Sequence, residues 1–188
     1  MISKDKLETM DQIRGAKIWQ WGDDPIIGAM FKKLSLKGVN LGVPEVDPSL
    51  TSSRITAAYG SPYAAVALQW FSKIKYMTEM PMSFAIGATV VSIEATNKVS
   101  EEDRKTIEEI GKASAKKLRK VIRKANEEAK ATMVKRGVVV VPTPAATIEA
   151  FDKAAQEVQN DLADKMYSKK ELEMVIKYRD EYRAKNKK

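Results

Sequence analysis

Gly15-Ala16-Lys17-Ile18-Trp19-Gln20-Trp21-Gly22-Asp23-Asp24-Pro25 holds a strand, a turn and a helix start in one short run. The aromatic and branched residues of 17–21 favour a strand, and Gly15 and Gly22 bound it. Asp24 is a good N-cap and Pro25 suits a first helical turn. The spacing of Ile27, Met30, Phe31 and Leu34 then predicts a helix to about residue 34. Trp19 and Trp21 alternate with Ile18 and Gln20, so both indoles face one side of the strand.

The same alternation continues downstream. Residues 39–43 read as a second strand, 44–53 carry a short helix, and 55–59 read as a third strand. Gly60-Ser61-Pro62 turns the chain into a helix over 63–72. This order argues for an α/β fold with a mostly parallel sheet. The apolar run 84–93 is expected as a long strand, and 138–141 as a buried one closed by Pro142, for about five strands in all.

Ser100, with Asp103 three residues on, starts a long helix over 100–136. Ile107, Ile110, Leu118, Val121, Ile122, Ala125, Ala129 and Met133 form its apolar stripe, and Gly137 caps its end. At 1.5 Å per residue it is roughly 54 Å long. That exceeds a small domain, so it is expected either to kink at Gly111 or to bridge two lobes while packing along the core. Helices over 145–166 and 169–183 complete the chain, the last with a Ser168/Glu171 capping box. The expected division is a linker at 1–14, an α/β core at 15–76, a hinge and long strand at 77–99, and the long helix, strand and C-terminal helices at 100–188.

The chain has 188 residues, with neither cysteine nor histidine. Disulfides, thiol nucleophiles and Ser-His-Asp or His-metal chemistry are therefore excluded. No Gly-rich phosphate loop or trusted carboxylate pair is present, so neither an enzyme nor a cofactor is expected. No apolar run reaches the roughly 18–20 residues of a membrane helix. The net charge is +8. Its cations alternate with acids at helical spacing, as on a solvated face, so no nucleic-acid partner is expected.

Ligands on parallel sheets sit beyond the carboxyl ends of the strands. Trp19, Trp21, Asp24, Tyr59, Gly60, Ser61 and Tyr63 fall there and are the candidate ligand-binding residues. Each also has a structural reading. The aromatics are equally suited to a core, Asp24 to a helix cap, and Gly60-Ser61-Pro62 to a turn whose amides and hydroxyl are also placed for a ligand carboxylate. Met77, Met80 and Met82 around Pro81 suit core or hinge packing.

Several runs in order carry a resemblance. The segment 15–25, Gly42-Val43-Pro44-Glu45-Val46, Ala58-Tyr59-Gly60-Ser61-Pro62 and Ala67-Leu68-Gln69-Trp70-Phe71 resemble the second lobe of DctP-type TRAP solute receptors. Lys75-Tyr76-Met77-Thr78-Glu79-Met80-Pro81 resembles that family's hinge segment. The resemblance implies a periplasmic-binding-protein-like lobe with long C-terminal helices. It also implies a bilobal receptor that closes on a small organic solute and delivers it to the permease subunits of an ion-driven transporter. Many members carry Arg where this chain has Trp19, which cannot form the bidentate pair with a carboxylate. The implied solute is thus either a small carboxylate or an aromatic or apolar compound. The stretch 50–56 also departs from the family, with Ser53 in place of the usual Gly.

The first lobe and signal peptide of the family have no counterpart here, and Met1–Lys6 has no apolar signal core. The expected compartment is periplasmic by resemblance, or cytoplasmic for a full-length product. A separate first-lobe chain is one expected partner. The competing reading is a degenerate receptor fragment that acts as a protein-interaction module without solute binding. Phe84, Ile86, Ala88, Val90 and Val91 would leave an apolar strand edge uncovered, from which a homo-oligomer, simplest as a twofold dimer, is expected.

Overall fold

The computed structural model describes residues 1–22, 24–83 and 87–186. Its centre is one six-stranded sheet. The strands are β1 (Ile2–Ser3), β2 (Lys17–Trp21), β3 (Lys37–Leu41), β4 (Ala57–Ala58), β5 (Tyr76–Thr78) and β6 (Val139–Val141). Their spatial order is β3-β2-β4-β1-β5-β6. β1 is antiparallel to both neighbours, whereas the pairs β2/β3, β2/β4 and β5/β6 are parallel. The fold is therefore α/β with a mostly parallel sheet, as the alternation of elements predicts.

The period-2 geometry of strands sends alternate side chains to opposite layers. Trp19, Leu41, Ala58, Ile2 and Met77 face one layer with Val46, Leu50, Trp70 and Met133. Ile18 and Ala57 face the other with Leu7, Ile13, Leu34 and Phe151. The first layer is covered by α3 (Val46–Thr51), α4 (Pro62–Ala67) and the end of α6 (Glu101–Lys135). The second is covered by α1 (Met10–Gly15), α2 (Pro25–Leu34) and α7 (Ala145–Leu162). Gly38 on β3 is required by this packing, since a Cβ there would collide with the Gln20 amide and come within 2.9 Å of the Phe31 ring.

Three expectations are corrected. First, residues 1–14 are no linker. Ile2 and Ser3 form a strand inside the sheet, Leu7 and Ile13 are buried, and a Thr9/Gln12 capping box starts α1. Second, the long strand at 84–93 is not found where it is described. Residues 87–92 have no strand, and Ser92 Oγ accepts from Ala95 N at 3.2 Å to open α5 (Ile93–Thr96). Phe84, Ala85 and Ile86 lie outside the described residues. A local helix cap replaces the ladder there, and Val90, Val91 and Ile93 stay exposed. Among the described residues, Ala88, Val90 and Val91 do not form the strand edge from which a dimer is expected.

Third, α6 does not pack along the core. It runs unbroken through Gly111, but only Ala129 and Met133 are buried, and Ile107, Ile110, Leu118, Val121 and Ile122 are exposed. Helix α8 (Lys169–Lys185) has its expected Ser168/Glu171 capping box and buries none of its residues. Smaller shifts follow the same logic. β3 begins two residues before its expected start, and the helix expected at 63–72 breaks into α4 and a 3-10 turn at Trp70–Lys73, with Gln69 left-handed between them.

Candidate functional site

β2 and β4 lie side by side, with Ile18 against Ala57, and the seven candidate residues lie on β2, in the turns that leave the two strands and at the start of α4. Trp19 is the floor. It is 4% exposed, and its Nε1 donates to the Leu41 carbonyl at 2.9 Å. Its ring stacks on Tyr59 at 5.2 Å and on Trp21 at 6.4 Å, and meets Trp70 edge-on at 5.4 Å. Its polar atom is thus spent inside the fold, and its faces are covered by other aromatics. Trp21, two residues further along the same strand, clears the sheet edge and is 60% exposed.

Tyr59 ties the two strand ends together. Its hydroxyl accepts from the Trp21 backbone N–H at 3.0 Å. Burial pushes the Tyr59 phenol above its ordinary pKa, the Trp21 N–H pulls it back, and the Asp24 carboxylate adds a smaller upward push. The phenol is therefore a neutral group at neutral pH. Asp24 is engaged as a cap, its Oδ1 accepting from Ile26 N at 2.8 Å and Ile27 N at 3.1 Å.

Gly60-Ser61-Pro62 forms the expected strand-to-helix turn. Ser61 Oγ accepts from Ala64 N at 3.1 Å, and Tyr63 N donates to Asn126 Oδ1 at 3.1 Å. Pro62 has no N–H. The first three residues of α4 therefore have no free amide to offer a ligand carboxylate. The Ser61 hydroxyl hydrogen remains a donor, since its oxygen is the acceptor in the cap. Gly60 and Ser61 are exposed, and the Tyr63 ring is 55% exposed.

The structure thus brings Trp21, Tyr59, Gly60, Ser61 and Tyr63 to one open edge, with Trp19 beneath and Asp24 beside it holding α2. None of the seven is a cation. Asn126 was missed by sequence reasoning. It reaches this edge from α6, and its partner lies 63 residues away in the chain, so no local pattern marks it. Two hollows lie elsewhere. One, at the opening ends of the strands, includes Leu7, Gln12, Lys17 and Thr56; the other, past β5 and β6, includes Met80, Pro81, Thr143, Ile148 and Asp152. Among the described residues the candidate edge is an open wall, with Trp21, Gly60, Ser61 and Tyr63 all exposed.

Comparison with known proteins gives this wall a context. The family model described as bacterial extracellular solute-binding protein, family 7 (DctP), matches residues 1–169. No curated protein matches the chain significantly. A TRAP periplasmic solute-binding protein from Citrobacter koseri, solved with bound D-glucuronate, is 24% identical with a TM-score of 0.72, covering 87% of this chain and 53% of its own. One from Xanthobacter autotrophicus Py2, with bound β-D-galacturonate, is 17% identical with a TM-score of 0.76, covering 88% and 54%. A Bordetella pertussis extracytoplasmic solute receptor binding pyroglutamic acid is 15% identical with a TM-score of 0.78, covering 95% and 58%. At these identities the likeness is one of fold. The chain spans a little over half the length of these structures.

Proposed function

Because the chain belongs to family 7 of the bacterial extracellular solute-binding proteins, the DctP family, we propose that it is the second lobe of a TRAP-type solute receptor. On this reading the edge of β2 and β4 is one wall of a cleft, and a first lobe supplies the other. The observation that carries the proposal is the pairing of exposed Trp21 and Tyr63 with the Ser61 hydroxyl above a buried Trp19. Exposed aromatic rings beside a few polar groups suit the apolar face of a small organic molecule. Trp19 and Asp24 hold the wall in place, and Trp21, Tyr59, Gly60, Ser61 and Tyr63 face the solute.

The solute class follows from the relatives, whose bound molecules are D-glucuronate, β-D-galacturonate and pyroglutamic acid. A small organic acid or related solute is the proposed ligand. None of the seven residues is a cation, so the carboxylate of such an acid would be met by the other lobe. Delivery to permease subunits outside the cytoplasmic membrane completes the role. No helix among the described residues is long and apolar enough to cross a membrane.

A calorimetric screen of uronic acids, pyroglutamate and aromatic carboxylates against the chain, alone and mixed with a family first lobe, tests this. Saturable binding that strengthens with the first lobe is expected. No binding by either preparation would favour the second reading, a protein-interaction module without solute binding. The exposed stripe of α6 and the openness of the β2/β4 edge among the described residues are the observations behind that alternative.

A further inference from the structure

The sheet carries a row of lysines at the end away from the candidate wall. Lys17 and Lys37 begin β2 and β3 and stand opposite each other in the parallel register. Lys4 follows β1, and its N–H donates to the Thr56 carbonyl just before β4. Lys75 precedes β5, and its N–H donates to the Ser3 carbonyl. Across β3-β2-β4-β1-β5 this level therefore reads Lys37, Lys17, Thr56, Lys4, Lys75. Lys4 and Lys17 both reach Ser53, Nζ of Lys4 donating to its Oγ at 2.7 Å and Nζ of Lys17 to its carbonyl at 3.5 Å. Exposed Arg54 and Lys73 flank the row. Among the described residues none of the four lysines makes an ion pair, whereas neighbouring Glu8 pairs with Lys6 and Asp11 with Arg14. Like charges opposite each other on neighbouring strands destabilise a sheet, and a partner of opposite charge relieves that cost. We propose that this row docks on an anionic phospholipid surface.

The chemistry beside the row selects that partner. With strands about 4.8 Å apart, the row spans roughly 19 Å. No exposed large apolar side chain lies within two residues of Lys4, Lys17, Lys37 or Lys75. A protein partner would need such side chains for the dry centre of an interface. Single-stranded nucleic acid would need exposed rings on which bases stack. A membrane surface needs neither, because its negative potential holds clustered bases by charge alone. A hollow of about 240 Å³ opens beside Lys17, with Lys6, Gln12 and Thr56 also in its lining. Gln12 Oε1 accepts from Glu8 N and Thr9 N, and Thr56 Oγ1 accepts from Lys17 N. The Gln12 amide hydrogens and the Thr56 hydroxyl hydrogen therefore remain as donors for a phosphoryl group. Asp5 is the only acid in that lining. The wall of Trp21, Ser61 and Tyr63 lies at the other ends of the strands, about 13 Å away along β2. On the proposed reading a first lobe covers that end and leaves the row free. The docking itself does not depend on solute binding.

Co-sedimentation of the chain with phosphatidylcholine vesicles, with and without phosphatidylglycerol, provides the test. Binding is expected only where phosphatidylglycerol is present, and it is expected to weaken as salt screens the charges. Lys37→Gln/Lys75→Gln is expected to weaken it roughly 25-fold, about fivefold per base removed. Lys116→Gln/Lys120→Gln on α6 removes the same net charge away from the row. That variant is expected to bind within about twofold of the unaltered chain, since charges beyond a Debye length are screened. Circular dichroism is expected to stay unchanged in both. No binding to phosphatidylglycerol vesicles overturns the proposal. So does an equal loss in the two variants, which would mark net charge and not the row. Displacement from the vesicles by polyglutamate or single-stranded DNA at equal charge concentration also overturns it, and would make the partner an acidic protein or a nucleic acid.

Discussion

Helix α6 carries one apolar stripe from Ile107 to Met133, and its two ends live in different surroundings. At the C-terminal end Met133 is fully buried with Trp19, Leu41 and Val138 in the first-layer core, and Asn126 locks onto the first turn of α4. At the N-terminal end Ile107 and Ile110 of the same stripe stand exposed. β2 repeats the contrast on a smaller scale, with Trp19 enclosed and Trp21, on the same face, exposed. Periodicity reveals which face of an element is apolar. It does not reveal what covers that face.

The largest effect is expected within β2. Trp19→Ala removes a ring packed on three aromatics and should cost about 3–5 kcal/mol of lobe stability. Trp21→Ala should stay within about 0.5 kcal/mol, as surface changes do. Urea unfolding of both variants measures the difference, and equal losses would break the contrast. Along α6 the same comparison pairs Met133→Ala, expected to cost about 2–5 kcal/mol, with Leu118→Ala, expected to change lobe stability by under about 0.5 kcal/mol in dilute solution.

The caps sharpen the picture. Ser61→Ala should cost the lobe about 1 kcal/mol, because its Oγ caps a helix in the core. Ser100 Oγ also accepts a capping bond, from Asp103 N, but at the exposed N-terminal end of α6. Ser100→Ala should therefore speed amide exchange in the first turns of α6 without moving the unfolding midpoint.

The smallest effect is a pH dependence. The Tyr59 phenol has a raised pKa in the folded chain, chiefly from burial. Its contribution is fully present below the ordinary tyrosine value of about 10 and is lost as pH rises through the folded value. Between the two values the unfolded state releases the proton first, so stability should fall there in the native chain more than in Tyr59→Phe. Denaturant midpoints on either side of pH 10 measure this, and parallel curves would contradict it.

What the sequence made legible is local. Lys17–Trp21, the helix behind Asp24 and Pro25, the turn at Gly60-Ser61-Pro62, and the caps at Ser100 and Ser168 each rest on residues within a few positions of one another. What it hid is pairing over distance. Ile2–Ser3 is too short to show alternation, yet it sits between β4 and β5 because its partners lie more than fifty residues away. The run 84–93 read as a strand because short apolar stretches look alike whether they enter a sheet or await a partner. At the site, sequence found the strand ends but left each side chain with two readings. The structure assigns Trp19 to the core and Asp24 to a cap, and leaves Trp21 and Tyr63 exposed, an outcome set by depth along the strands and not by residue type.

The central claim is that a solute rests on the wall formed by Trp21, Ser61 and Tyr63. Trp19 and Trp70 are buried and Trp21 is exposed, so tryptophan fluorescence separates the wall from the core. A titration with the best acid from the screen, in the presence of a first lobe that carries no tryptophan, is expected to shift the red-most emission. Trp21→Phe should abolish that shift, and Ser61→Ala and Tyr63→Ala should each weaken binding severalfold. Saturable binding of unchanged affinity in Trp21→Phe, Ser61→Ala and Tyr63→Ala, with the fold intact, would contradict the account and place the site elsewhere.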